Sequence, residues 1–521
     1  MIPAVDIGAA LLSPVLIVFL TACLGVLLEA FVPRRLRDEA QVTISVAGLQ
    51  GALGLLWWRW GEDWQSLAGV GALAVDGPTQ LFWALVLVFA LLSVLLFAER
   101  QLYGGVTAFT PMAAAVPGSG AERDAVSARV EHTEVFPLLL FAVTGMLLFP
   151  AANDLLMLFV ALEIFSLPLY LLCGLARSRR LLSQEAALKY FLLGSLSSAI
   201  FLFGAALLYG YAGGFSFSAI DAAIKVDHQG QALLLAGMLM VMVGLLFKVG
   251  AVPFHSWTPD VYMGAPTPVT GFMAVCTKIA AVAALVRVLY VALGAMRWDW
   301  QPLLAGIAAV TMGLGVVLGV VQRDVKRMLA YSSIAHAGFL LAPVVGAVTP
   351  ETGLLPGQAG SVSSIAFYLL AYGFATVGGF AVVTMVRTGP VEQNAISSWA
   401  GLGRKHPWVA GVMTLFLLSF AGIPLTAGFI GKWVAFAAAW RGGYWWLVLV
   451  AVLMSLVGAY FYLRLIAVMY FQEPDEQSGE VAAPGLATIV VVVVCAAATL
   501  VLGLAPGWAL DLATAGVQLL R

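Results

Sequence analysis

Long hydrophobic runs recur along the whole chain, and short polar segments separate them. A helix needs about 20 mostly apolar residues to cross roughly 30 Å of hydrocarbon, and about fourteen windows meet this test. Runs such as 81–96 are apolar on every face, unlike the alternating strands of a β-barrel. The pattern predicts an all-α multispanning membrane protein, with helices centred near Phe19, Val46, Val86, Leu140, Leu162, Ser197, Met240, Ala280, Ala309, Gly338, Gly373, Leu417, Gly458 and Val493.

Composition narrows the class further. The 521 residues are 62% hydrophobic and 10% charged, whereas soluble domains carry roughly 25% charged residues. The net charge is −1, so the chain has no excess of positive charge that would attract the phosphate groups of a nucleic acid. The sequence contains neither a phosphate-binding loop nor a dinucleotide-binding turn, and its cysteines and histidines lack metal-ligand spacing. We therefore expect no nucleic acid, nucleotide cofactor or metal on this chain.

Basic residues lie mainly in the odd-numbered loops, for example Arg34, Arg100, Arg179 and Arg327. Loops rich in arginine and lysine remain in the cytoplasm, so both termini are expected outside the cell. The longest polar connection, about 101–134, is a cytoplasmic loop without the residues for a core of its own. Any chemistry must therefore occur among the helices or on a partner.

Four charged residues fall inside predicted spans: Glu163, Lys248, Lys278 and Lys432. An ionisable side chain near the bilayer centre costs roughly 2.5–3.5 kcal/mol on insertion scales, which marks it as a candidate functional residue. Burial disfavours the charged form of a lysine, and a nearby carboxylate favours it again, so such a lysine can bind and release a proton. The alternative is a static packing pair, or a side chain that reaches the membrane surface.

Two spans contain helix-breaking residues close to a lysine. Gly250 and Pro253 follow Lys248, whereas Gly422 and Pro424 precede Lys432. Paired broken helices indicate an inverted repeat. We therefore expect two inverted five-helix repeats, each with one broken helix, although the two do not match residue by residue. The predicted units are 1–134 (three leading helices and a loop), 135–295 (first repeat), 300–472 (second, inverted repeat) and 473–521 (a loop and a trailing helix).

Two histidines lie where they could join a proton pathway. His255 follows the first break, and His336 is the ionisable side chain deep in its own span. Imidazole titrates near neutral pH and can both donate and accept a proton. For each of these two histidines, a purely structural role is an equal alternative to a relay role.

Several motifs carry a family resemblance. KVGAVPFHSWTPDVYMGAPTPVT at 248–270, RMLAYSSIAH at 327–336 and SFAGIPLTAGFIGK at 419–432, with Leu162-Glu163 and Leu169-Tyr170, resemble the antiporter-like membrane subunits of respiratory NADH-quinone oxidoreductase, complex I. The likeness covers roughly 134–470. Within that family the chain is most similar to the subunit N branch, in which the PDVYxGAP motif follows the Pro-Phe-His turn and a lysine at position 432 is expected.

The resemblance implies a role for each matched residue. Glu163 would pair with and modulate Lys248, Lys278 would be the central proton relay, and Lys432 would serve the outlet half, with His255 and His336 as candidate intermediates. NADH, FMN, iron–sulfur clusters and quinone would bind partner subunits, and no redox centre would lie on this chain. Its partners would be sister antiporter-like subunits, small hydrophobic subunits and the lipid of a bacterial inner membrane.

The sequence alone leaves two other functions open. A subunit of a multi-subunit Na⁺/proton antiporter would share the same helices and buried lysines. A structural scaffold would keep the spans, but would have no reason to place three lysines in lipid.

Overall fold

The computed structural model describes residues 8–60, 64–128, 131–226, 230–349, 359–389, 391–474, 478–515 and 518–520. These residues form twenty α-helices, five short strands and a few single 3-10 or π turns. The helices are α1 (Ser13–Phe31), α2 (Arg34–Trp58), α3 (Gly77–Phe97), α4 (Gly120–Ser127), α5 (Val135–Ala151), α6 (Leu155–Cys173), α7 (Arg180–Ala212), α8 (Phe217–Val226), α9 (Gln231–Val249), α10 (Trp257–Gly264), α11 (Thr267–Arg287), α12 (Arg297–Val320), α13 (Val325–Gly346), α14 (Ser361–Met385), α15 (Leu402–Lys405), α16 (Pro407–Ala421), α17 (Ala427–Arg441), α18 (Trp445–Phe471), α19 (Leu486–Leu504) and α20 (Gly507–Thr514). The strands are β1 (Ser66–Ala68), β2 (Leu73–Val75), β3 (Val386–Thr388), β4 (Val391–Glu392) and β5 (Glu480–Val481).

The helical membrane architecture is confirmed. Within the described ranges, 12 helices are long and apolar enough to cross a membrane, and α5 and α16 are shorter apolar helices. Every one of the predicted span centres lies inside one of these helices. The two short spans are α5, which ends at a proline-containing turn, and α16, which is the first half of a broken helix.

Backbone pairing between loops defines two sides of the bundle. On one side, β3 pairs with both β4 and β5, and isolated bridges join Phe109 to Ala176 and Asp324 to Ala395. On the other side, β1 pairs with β2, and bridges join Leu73 to Ala152 and Asp154 to Ser216. The first set joins odd-numbered loops to one another, and the second set joins even-numbered loops. We call these the odd side and the even side.

Two groups of five spans have the same arrangement of neighbours. In the first group, α5 packs on α6 and α11, and α7 packs on both halves of a broken helix, α9 and α10. In the second group, α12 packs on α13 and α18, and α14 packs on both halves of a broken helix, α16 and α17. The broken helix is therefore the fourth span of each group, and it enters from opposite sides of the bundle in the two groups.

The two helix breaks have the same backbone conformation. Gly250 and Gly422 follow the first half of each broken helix with φ of 81° and 80°, a left-handed conformation that glycine adopts without steric cost. Gly250 N–H donates to the carbonyls of Leu246 and Phe247, and Gly422 N–H makes the equivalent pair of bonds. The chain then leaves the helix axis and begins a second, shorter helix.

Burial separates a core from a lipid-facing layer. Every residue of α11 is buried, and nearly every residue of α13 and α14 is buried as well. Most residues of α1, α2, α18 and α19 are not buried, although these helices are strongly apolar. An apolar surface of this extent is stable only against hydrocarbon or a membrane partner. The candidate charges Lys278 and His336 lie on the two core helices α11 and α13.

A buried ion pair ties the leading helices to this core. Arg287, at the end of α11, donates to both carboxylate oxygens of Asp76 at 2.7 Å, and its Nε donates to the carbonyl of Pro150. Asp76 also caps α3 by accepting from the backbone of Thr79. The backbone N–H of Leu520 donates to the same carboxylate at 2.9 Å. This arginine therefore has a structural partner, and it does not line the cavities described below.

Candidate functional site

Lys248 lies in the last turn of α9, two residues before Gly250, and is buried. Its ammonium donates to Ser166 Oγ at 2.8 Å and to the Tyr170 hydroxyl at 3.4 Å, both on α6. The rings of Phe165, Tyr170 and Tyr190 surround it at 5.4 Å. Aromatic faces stabilise a desolvated cation. The break thus holds this lysine in a polar niche within an apolar wall.

Glu163 lies on α6, one helical turn before Ser166, and is partly buried. Its Oε1 is buried and has no hydrogen-bond partner among the described residues. The described residues also include no ion pair within 4.0 Å that joins it to Lys248. Ser166, whose hydroxyl donates to the Leu162 carbonyl, occupies the position nearest the ammonium instead. In this conformation the carboxylate and the lysine lie apart, with one serine hydroxyl beside the lysine.

A narrow cavity with no room for a water molecule in this conformation is lined by both Lys248 and Lys278. The Lys278 ammonium, on α11, donates to the carbonyl oxygen and to the hydroxyl oxygen of Ser333 at 2.6 Å each. Tyr372 donates to the same hydroxyl at 3.0 Å, and its ring lies 5.0 Å from the ammonium. Tyr262 lines the cavity too, with its hydroxyl 3.5 Å from Ser333 Oγ. We call this space the central cavity.

His336 lies one helical turn beyond Ser333 on α13 and is buried. Its Nδ1 lies 2.7 Å from the Tyr368 hydroxyl, and its Nε2 lies 3.4 Å from the Tyr462 hydroxyl. Both ring nitrogens therefore have hydroxyl partners, which can donate or accept according to the tautomer. A second cavity of about 10 Å³ is lined by His336, Tyr372 and residues of the second broken helix.

Lys432 lies on α17, in the second half of its broken helix. Its ammonium donates to the carbonyls of Phe420 and Ala421, at 2.8 and 2.9 Å, and to Ser455 Oγ at 2.7 Å. These carbonyls end α16, where the break leaves them without an intrahelical partner. A cation is favoured at that negative end of the helix dipole. Lys432 is therefore both a cap for α16 and an ionisable group beside the cavity that holds His336.

His255 lies in the turn between α9 and α10 and is partly buried. Its Nδ1 is buried with no hydrogen-bond partner among the described residues. His255 does not line the central cavity, whereas Trp257 and Thr258 of the same segment do. Within the described ranges, no group of three or more His, Cys, Asp or Glu side chains could hold a metal ion.

Sequence patterns did not reveal the hydroxyl groups that connect these residues. Ser166 and Tyr170 lie one and two turns after Glu163, and Ser333 lies one turn before His336. Spacing of three, four or seven places side chains on one helix face, so those intervals were the available signal. The partners on other helices, Tyr372 and Ser455, depend on packing that a single sequence does not show.

The arrangement can transfer protons and little else. Lysine, histidine, serine and tyrosine side chains follow one another from Lys248 through Lys278 to Lys432, and hydroxyl groups can accept one proton while giving up another. The space around them is divided between two cavities of about 10 Å³ or less, with tyrosine and phenylalanine side chains along the walls. Such a passage suits a hydrogen-bonded relay better than a hydrated ion.

Comparison with known proteins shows which protein family the chain resembles. Residues 152–458 match the family described as NADH:quinone oxidoreductase/Mrp antiporter, TM. NADH-quinone oxidoreductase subunit N of Cutibacterium acnes is 55% identical over 98% of this chain and 95% of its own length. The protein of the same name from Nocardioides sp. is 54% identical over 98% of this chain and 97% of its own length.

Solved structures agree with the fold. A chain of respiratory complex I from Thermus thermophilus, with bound aureothin, is 34% identical and superposes with a TM-score of 0.75 over 96% of this chain and all of that one. A chain of the Mrp complex from Dietzia sp. superposes with a TM-score of 0.79 at 20% identity over 97% of this chain and 96% of that one. The second likeness shows the shared fold alone. Sequence identity across almost the full length decides the branch, and the chain belongs to the family of NADH-quinone oxidoreductase subunit N.

Proposed function

We propose that this chain is a proton-translocating membrane subunit of an NADH-quinone oxidoreductase in a bacterial inner membrane. Two observations support it together: full-length relatives of that name, and a series of buried lysine, histidine and hydroxyl groups in the centre of the bundle. NADH oxidation and quinone reduction take place on partner subunits, which hold FMN and the iron–sulfur clusters. This chain acts as part of a translocase and carries no redox centre.

Glu163 controls the loading of Lys248. Two unit charges about 4 Å apart interact by roughly 4 kcal/mol at an effective dielectric of 20, so moving the carboxylate towards the ammonium strongly favours the protonated lysine. In the described conformation Ser166, not Glu163, is the partner of Lys248. Electron transfer in the partner subunits drives the change between the paired and the separated states.

The proton then passes from Lys248 to Lys278 through the central cavity, and on to Lys432 by way of Ser333 and His336. Lys432 delivers it to the outlet half. The odd side faces the cytoplasm, because arginine and lysine concentrate in its loops, and both termini lie outside. We assign the two inverted repeats to 135–295 and 300–472, flanked by 1–134 and 473–521.

The test is substitution of Lys248 by methionine in the complete complex. We expect NADH-driven acidification of inverted membrane vesicles to fall, while the amount of assembled complex stays normal, because methionine fills similar volume without an exchangeable proton. The control is Lys225→Met, since Lys225 lies on the exposed helix α8 and pairs with Asp221. Unchanged pumping by Lys248→Met at normal assembly would refute the role of this lysine.

The alternative function, a subunit of a Na⁺/proton antiporter, is favoured by the fold it shares with the Mrp chain. Purification of the chain in mild detergent distinguishes the two candidate functions. Co-purification of inhibitor-sensitive NADH-quinone reductase activity supports the redox-driven pump. A complex of small hydrophobic subunits without flavin, together with a growth defect of the deletion strain at high sodium and alkaline pH, supports the antiporter.

A further inference from the structure

A third polar cavity, of about 30 Å³, lies where the loops of the odd side meet. The turn after α3, the loop after α6, the junction of α10 with α11, the start of α13, and β4 with the segment after it all contribute to it. Its polar lining consists mainly of Tyr103, Arg179, Thr267, Lys326, Glu392 and Asn394. None of these residues has a role in the pathway described above. We call this space the odd-side cavity.

Glu392 is the acceptor at the centre of the odd-side cavity. Its carboxylate accepts from the Tyr103 hydroxyl at 3.1 Å and from Thr267 Oγ1 at 2.5 Å. The buried guanidinium of Arg387 lies 3.8 Å away and stacks over the Tyr103 ring. The carboxylate side chain keeps 14% of its surface exposed. It can therefore exchange protons with water and is still held in a fixed position.

Lys326 is the matching donor, and it is buried. Its ammonium donates to the Ala265 carbonyl at 3.1 Å and to Thr267 Oγ1 at 3.0 Å. The Thr267 hydroxyl thus accepts from the lysine and donates to Glu392. One hydroxyl therefore joins a partly exposed carboxylate to a buried lysine in a continuous hydrogen-bonded path.

A polar group without a partner faces the same space. Asn394 is 3% exposed, and its Oδ1 is buried with no hydrogen-bond partner among the described residues. Buried polar atoms are nearly always satisfied by protein or by ordered water. A cavity of this size with an open acceptor is a place that water can occupy. Close packing of a purely structural cluster would have removed both the space and the open acceptor.

The odd-side cavity is next to the central cavity, on the other side of the end of α10. Tyr262, on α10, lines the central cavity, and the next residues, Met263 and Gly264, line the odd-side cavity. The last turn of the broken helix therefore separates the two. Lys326 and Ser333 are seven residues apart on α13, which places them on one face about 10 Å apart. Ser333 is the residue that holds the Lys278 ammonium.

From these contacts we propose that the odd-side cavity is the proton-uptake site, in which Glu392 receives the proton from water and Thr267 relays it to Lys326, which supplies the central cavity. Lys326 first gives its proton, through water, to Lys248, which is neutral at that moment, and is itself left as a neutral amine. The neutral amine is then reloaded from protonated Glu392, because the Thr267 hydroxyl releases its own proton to the amine as it receives one from the carboxyl. No electron moves, and the carboxylate is restored. This inference rests on the proposed function and names where its proton enters.

Two substitutions at Thr267 test the relay with little change in volume. Valine has the shape of threonine without the hydroxyl, and serine keeps the hydroxyl with less volume. In the complete complex, we expect Thr267→Val and Glu392→Gln to lower the protons pumped per NADH as much as Lys248→Met does. We expect Thr267→Ser to pump like the wild type. Glu473→Gln is the control, since this carboxylate lies on the same side, is 85% exposed and pairs with Arg404.

The outcomes separate the two proposals. Wild-type pumping by assembled Thr267→Val and Glu392→Gln, with a loss in Lys248→Met, would overturn the uptake site alone. Equal losses in Thr267→Ser and Thr267→Val at normal assembly would overturn it too, since the hydroxyl would then not matter. If Glu392→Gln does not assemble, the pair of Thr267 variants still decides. No loss in Lys248→Met would reject the proposed function itself.

Discussion

Gly250 and Gly422 end the first halves of the two broken helices in the same left-handed conformation, yet their lysines lie on opposite sides of them in sequence. Lys248 precedes its glycine and contacts α6. Lys432 follows its glycine and turns back to the carbonyls that the break exposes. Each break therefore lies beside one ammonium in the bundle interior. Lys248 belongs to the first half of its broken helix, whereas Lys432 belongs to the second half of its own.

Alanine at position 422 should disturb both the break and its lysine. A left-handed conformation costs an L-residue roughly 1–2 kcal/mol, and the added Cβ would lie 2.9 Å from Lys432 Cδ. We expect a lower melting temperature of the purified complex and weaker pumping. Gly411→Ala on α16 is the matched control, because its Cβ would meet nothing within 4 Å. Equal behaviour of the two variants would show that the glycine cap does not matter.

Ser166→Ala should weaken proton loading of Lys248. The substitution removes the oxygen 2.8 Å from the ammonium, and a hydrogen bond to a charged group contributes about 1.5–3 kcal/mol. We expect reduced pumping with normal assembly, measured in inverted vesicles. Ser197→Ala is the control, since its buried hydroxyl has no hydrogen-bond partner among the described residues. A Ser166→Ala complex that pumps normally would mean that Lys248 finds another acceptor at no cost.

Tyr372→Phe should impair the relay at Lys278. The ring beside the ammonium remains, but the hydroxyl that donates to Ser333 at 3.0 Å is lost. Loss of this bond costs on the order of 1 kcal/mol and frees the Ser333 hydroxyl, which accepts from Lys278, from its second donor. Tyr190→Phe, in which a buried hydroxyl without a described partner is removed, should pump normally. The initial rate of vesicle acidification per NADH oxidised distinguishes them.

Arg287→Ala should prevent stable assembly without any direct effect on proton transfer. Breaking a buried ion pair by removing one partner costs about 3–5 kcal/mol, because the other charge stays buried. Asp76 would be that charge. We expect little assembled complex on native gels, and Arg404→Ala, from an exposed pair with Glu473, should assemble normally. Normal amounts of Arg287→Ala complex would contradict the anchoring role.

The spans and both breaks could be predicted because bilayer thickness and helix breakers act locally along the chain. The positions of Glu163, Lys248, Lys278 and Lys432 were visible for the same reason, since charges are rare inside apolar runs. Their roles stay a prediction. Ser333 and Thr267 could not be singled out, because serine and threonine are common in membrane helices and their partners lie on other helices. The contact between Lys248 and Ser166, with Glu163 apart, also depends on packing.

The carboxylate of Asp76 sets a practical limit on how this protein can be labelled. It holds the end of the central helix α11 and, through the backbone of Leu520, the final residues of the chain. A purification handle fused directly after those residues would strain the anchor that the experiments above require intact. The end of α4 is a better insertion point, because Ser127 and Ala128 are exposed and α4 has no buried residue. A handle there would leave the contact between Leu520 and Asp76 intact.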